Sequence, residues 1–119
     1  MSQHWFINAS NRQVLFGSDK PTGGFFYTEF YRDDEIEDED EDGDVVITKS
    51  ALTINEIISE LKENQGYILS EEEIDNILND WVNEPEPTPL QHNIGKMFGF
   101  NLSEQLERTE SSIFSYINS

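Results

Sequence analysis

VVITKSALTINEIISELKENQG, residues 45–66, holds the change of period on which the fold class turns. Its first part, Val45-Val46-Ile47-Thr48, is β-branched and short, and reads as a strand. From residue 50 the period becomes helical. Thr53-Ile54-Asn55-Glu56 is a capping-box pattern: the Thr hydroxyl accepts from the third backbone N–H while the Glu reaches back to the cap. Ile54, Ile57, Ile58 and Leu61 then share one face, and Gly66 supplies the stop. Asn55, Glu56, Ser59, Glu60 and Glu63 share the opposite face.

Working back from that switch, the N-terminal part reads as strands. HWFIN (4–8) and QVLFG (13–17) are short, apolar and β-rich, with a polar stretch between them. SDKPTGG (18–24) carries a Pro and a Gly pair, which mark a loop. FFYTEFY (25–31) is a third strand. Its alternation sends Phe26, Thr28 and Phe30 to one side and Phe25, Tyr27, Glu29 and Tyr31 to the other. An antiparallel meander is the simplest arrangement, with 45–48 as its fourth strand.

Working forward, Ser70-Glu71-Glu72-Glu73 is a second capping box. It opens a helix that places Ile74, Ile77, Leu78, Trp81 and Val82 together, with Glu72, Glu73, Asp75, Asn76, Asn79 and Asp80 outside. EPEPTP (84–89) must break that helix. Thr88, Pro89 and Gln91 open a third, with Leu90, Ile94, Met97 and Phe98 as its apolar stripe. Asn101 or Ser103 begins a last helix that turns Leu106, Ile113, Phe114 and Ile117 inward. The expectation is one α+β domain over 1–119: a small antiparallel sheet of three or four strands, then about four short helices.

Charge sets the functional expectation. The chain has 25 acidic and seven basic residues, a net charge of −18. Ten of the twelve residues from Asp33 to Asp44 are acidic. The 15 other acids face all seven bases, so the body outside the run still carries about −8. Such a field repels nucleic acid and anionic membrane and attracts basic proteins. Hydrophobic content of 35% and aromatic content of 12% are too high for a disordered acidic tail. There are no cysteines, which excludes disulfides and thiolate chemistry and fits a reducing cytoplasm. The opening residues lack the pattern of a signal peptide, and no apolar stretch is long enough to span a bilayer.

Three readings of the acidic run compete. A solvated loop that aids solubility explains residues 33–44, but not the acidic outer faces of the first two helices. A cation loop is suggested locally: Asp38-Glu39-Asp40-Glu41-Asp42-Gly43-Asp44-Val45 resembles the core of an EF-hand calcium loop, with Asp38, Asp40, Asp42 and Asp44 as ligands. It departs at the twelfth position, where Lys49 stands in place of the bidentate Glu, and its incoming segment is strand-like. The third reading is mimicry of nucleic acid. Ten charges over an extended span of at most about 40 Å is about one per 4 Å, close to the roughly 3.4 Å per phosphate of one DNA strand.

The expectation is therefore an acidic inhibitor that blocks the DNA- or RNA-binding groove of a basic protein. Its binding residues would be Asp33, Asp34, Glu35, Glu37, Asp38, Glu39, Asp40, Glu41, Asp42 and Asp44. Glu56, Glu60, Glu63, Glu72 and Asp75 on the helices would support them. Small acidic domains of phages and mobile elements that inhibit CRISPR effectors or restriction enzymes work in this way. The alternative is an acidic adaptor for a basic partner, with a weak calcium-binding domain as a further one. No catalytic residues, cofactor or metal are expected beyond that calcium alternative. His4 and His92 are isolated, and paired carboxylates are too abundant to single out two for acid–base work.

Overall fold

The computed structural model describes residues 3–35 and 45–118. The chain is α+β. Four strands, β1 (His4–Ile7), β2 (Gln13–Asp19), β3 (Gly24–Phe30) and β4 (Val45–Leu52), form one antiparallel sheet in the order β1-β2-β3-β4. Four helices follow: α1 (Ile54–Gln65), α2 (Glu71–Asn83), α3 (Pro89–Met97) and α4 (Leu102–Ile117).

Strand alternation decides the core. Phe6 pairs with Val14, Val14 with Glu29, and Phe16 with Tyr27, so these side chains share a face. That face packs beneath the apolar stripes of α1 and α2, where Ile54, Ile57, Leu61 and Ile77 are fully buried with Phe16, Phe25 and Tyr27. Phe25 and Trp81 meet with ring centroids 5.5 Å apart, and Phe6 stacks on Tyr67 at 3.9 Å. The other sheet face keeps Trp5 and Ile7 exposed.

β4 runs further than VVIT, to Leu52, and the helical period begins only at Ile54. The strand is extended by its pairing: Phe25 lies opposite Leu52 after a shift in register. Gly24 permits that closeness, because a Cβ there would stand 2.6 Å from the Leu52 carbonyl oxygen. Ala51 takes up the irregularity with a φ of +56°, and Gln105 from α4 donates to its carbonyl at 2.7 Å.

The predicted caps hold. Thr53, Ser70 and Thr88 each form a reciprocal capping box with Glu56, Glu73 and Gln91, and Asn101 caps α4. The predicted inward faces need correction at the far helices. Val82, Phe114 and Ile117 are exposed rather than inward, and so are Leu90, Ile94, Met97 and Phe98. The reason is geometric. α1 and α2 cover the sheet, and α4 reaches the core through Leu102, Leu106, Thr109 and Ile113, while α3 has no buried residue.

Candidate functional site

The acidic run joins β3 to β4, which are antiparallel neighbours, and β4 is an edge strand. Glu37, Asp38, Glu39, Asp40, Glu41, Asp42 and Asp44 lie outside the described residues. The start of the run is placed, and it is not extended. Asp33–Glu35 form a single 3-10 turn. Two arginines hold it. Arg12 donates from Nε and Nη2 to the two Glu35 oxygens at 3.1 and 2.6 Å. Arg32 Nε stands 2.9 Å from Glu35 and 3.2 Å from Asp34. The hydrogen bonds from Arg12 hold the Glu35 carboxyl down at about 2. Glu35 is thus fastened within the chain, whereas Asp33 and Asp34 are exposed.

Arg12 also reaches inward. Its Nη1 donates to buried Glu29 at 3.1 Å, and Gln65 donates to the other Glu29 oxygen at 2.7 Å. Asn8 in turn donates to Gln65 at 2.8 Å. A buried carboxylate needs such partners, because desolvation would otherwise expel its charge. These groups line a recess of about 380 Å³ beside Val46 and Asn64.

The helical acids divide the same way. Glu60 accepts from Lys49 at 2.9 Å and from Tyr27 at 2.9 Å. The bond from Lys49 lowers the Glu60 pKa, while burial and then Glu60 push Tyr27 up to about 12. Glu56 closes the α1 capping box and meets Arg108 at 2.8 Å. Burial opposes its ionisation, and the Thr53 N–H and Arg108 more than offset that. Glu56 and Glu60 are therefore structural partners, not free members of an outer face. Glu73 and Asp80 are likewise engaged, with Tyr67 and with His4. Glu63, Glu72 and Asp75 are exposed as expected.

Further exposed carboxylates stand outside the expected set: Glu71 and Glu86, and three on α4. Glu104, Glu107 and Glu110 follow one another at every third position of α4, and all are exposed. Their i, i+3 spacing is the signal that would have found them.

The calcium alternative meets a changed setting. Lys49, its twelfth position, sits in β4 opposite Tyr27 and is bonded to Glu60. The segment therefore leaves on a strand, where an EF-hand loop leaves on a helix. Among the described residues no group of three or more acids and histidines is placed to hold a metal ion. Ser103 Oγ lies 3.4 Å from His92 Nδ1, a long contact between side chains at the surface.

No family model matches the chain, and neither a curated protein nor a solved structure matches it significantly. Among the described residues no helix is long and apolar enough to cross a membrane.

Proposed function

We propose that the chain is an acidic inhibitor that occupies the nucleic-acid groove of a basic DNA- or RNA-handling protein. The partition of charge carries this reading. Five of the seven bases, Arg12, Lys20, Arg32, Lys49 and Arg108, form ion pairs with the chain's own carboxylates. The folded body uses its cations as internal ties, and among the described residues Glu63, Glu71, Glu72, Asp75, Glu104, Glu107 and Glu110 are left exposed.

Exposed acids are distributed over α1, α2 and α4, and Asp33 and Asp34 at the start of the run are exposed too. On a helix, carboxylates three apart rise by about 4.5 Å, against roughly 3.4 Å per phosphate along a DNA strand. A basic groove lined for phosphates would accept such a surface, with association steered by the long-range field. The placement of the run before an edge strand supports it as the leading element. Inhibitors of CRISPR effectors or restriction enzymes are the type that this reading describes, acting in the cytoplasm.

The test is capture of basic proteins from a nuclease-treated lysate at low salt, followed by challenge of each captured protein with duplex DNA and with RNA. The expected result is mutually exclusive binding that weakens steeply as salt rises. Neutralising Asp38 through Asp42 to Asn or Gln should sharply weaken capture. A stable ternary complex of chain, target and nucleic acid would replace the inhibitor by an acidic adaptor.

A further inference from the structure

Helix α3 is turned inside out. Leu90, Ile94, Met97 and Phe98 fall at i, i+4, i+7 and i+8, the spacing of one buried face. Yet they are 67%, 46%, 82% and 83% exposed. Gln91, His92 and Gly95 are the half-buried side instead. Gly95 fits tightly there, since a Cβ would stand 3.1 Å from the Phe100 carbonyl oxygen. The polar side of the helix is therefore the docked side, and among the described residues nothing buries its apolar stripe.

A second apolar surface is also unfilled. Two adjoining cavities, each of about 270 Å³, lie along α2 and α4 and share Val82 and Ile113 in their walls. Leu78 and Ile113 are buried at the base, and Val82 and Ile117 stand 71% and 65% exposed at the sides. Asp75 and Glu110 are the acidic residues of the walls; Lys20, also in the wall, is buried and tied to the Glu84 carbonyl and to Glu86.

We infer that this groove receives helix α3 of a second copy of the chain. Charge singles out the occupant. α3 is the only one of the four described helices without an acidic residue, and no Asp or Glu occurs from residue 87 to 103. Any other helix would bring carboxylates towards Asp75 and Glu110, whereas α3 brings none; its His92 and Lys96 lie on the side away from the stripe, towards the start of α4. Length agrees as well. Leu90 to Phe98 rises about 12 Å, and Asp75 to Val82 and Glu110 to Ile117 each rise about 10.5 Å. An amphipathic helix in a groove is a recurring recognition mode. Exchange of α3 in both directions closes the pair about a two-fold axis; exchange in one direction propagates.

The absence of cysteines makes the test clean. Two single variants, Val82→Cys and Met97→Cys, are mixed under mild oxidation. A disulfide between the two variants is the expected product, with little cross-linking of either alone. Efficient cross-linking of Met97→Cys alone would mean that α3 meets α3, and would overturn the assignment. So would a monomer at every concentration in sedimentation equilibrium of the unmodified chain. Phe98→Asp and Val82→Glu should each raise the dimer dissociation constant at least about tenfold, with circular dichroism unchanged. Self-association should strengthen with salt as like charges are screened, whereas capture of a basic target should weaken. The two readings therefore fail separately.

Discussion

At the residue scale, the most demanding group is Glu29. It lies on the core face and is held by Arg12 from β2's N-terminal side and by Gln65 from the end of α1. Alternation along FFYTEFY placed it beside Phe25 and Tyr27 on one face. Nothing local marks that face as the core, and nothing names partners 17 and 36 residues away. Replacing Gln65 by Leu should destabilise the fold by about 1.5–3 kcal/mol, the range for a lost hydrogen bond to a charged group. Urea denaturation followed by tryptophan fluorescence reads it. Thr109 is a neutral counterpart: fully buried, it donates to the Gly23 carbonyl at 2.6 Å. The Gly pair reads as a turn in the sequence, and Gly23 does end a 3-10 turn with a φ of +92°. Gly24 has a different duty, the close approach to Leu52. Gly24→Ala should cost about 1–3 kcal/mol through overpacking, measured by the same titration.

At the element scale, helix starts are legible because caps are local. Thr53, Ser70 and Thr88 act on backbone groups within three residues of themselves. Thr53→Ala or Ser70→Ala should each lower stability by about 1 kcal/mol, visible as a shifted denaturation midpoint at constant slope. Apolar stripes are equally legible, but their destination is not. Ile77 and Met97 both sit on stripes at helical spacing, and only Ile77 is buried. Ile77→Ala should cost about 2–5 kcal/mol. Met97→Gln should stay within about 0.5 kcal/mol in the monomer. A comparable loss at Met97 under conditions where the chain is monomeric would mean that α3 packs its stripe within its own chain. The turn at Asp33–Glu35 makes the same point for charge. Twelve residues of acidic sequence suggest one extended row, but two arginines fold its first three residues back onto the sheet.

At the scale of the whole molecule, two electrostatic effects of opposite sign act on stability. The net charge of −18 makes the native state repel itself near neutrality. Against this, Glu35 titrates at about 2 in the folded chain instead of its ordinary 4.5. Its folded pKa is lowered, so its stabilisation is complete above the unfolded value and is lost as pH falls through the folded one. The melting temperature should therefore rise as pH falls from 7 to about 5, then drop below about 4. Glu35→Gln should flatten the acid limb, and thermal melts from pH 3 to 8 decide it. A melting temperature that falls steadily from pH 7 would rule out self-repulsion as a governing term. By itself the sequence determined the α+β class, a sheet of three or four strands, the helix starts and the excess of negative charge. Each rests on periodicity, caps or composition, which act between near neighbours. Only the tertiary structure decided which stripes are buried, which carboxylates are tied to bases and which remain displayed. Those outcomes depend on groups distant in sequence that meet when the sheet is covered. The sheet has room for α1, α2 and one side of α4, and that limit leaves the apolar face of α3 outside.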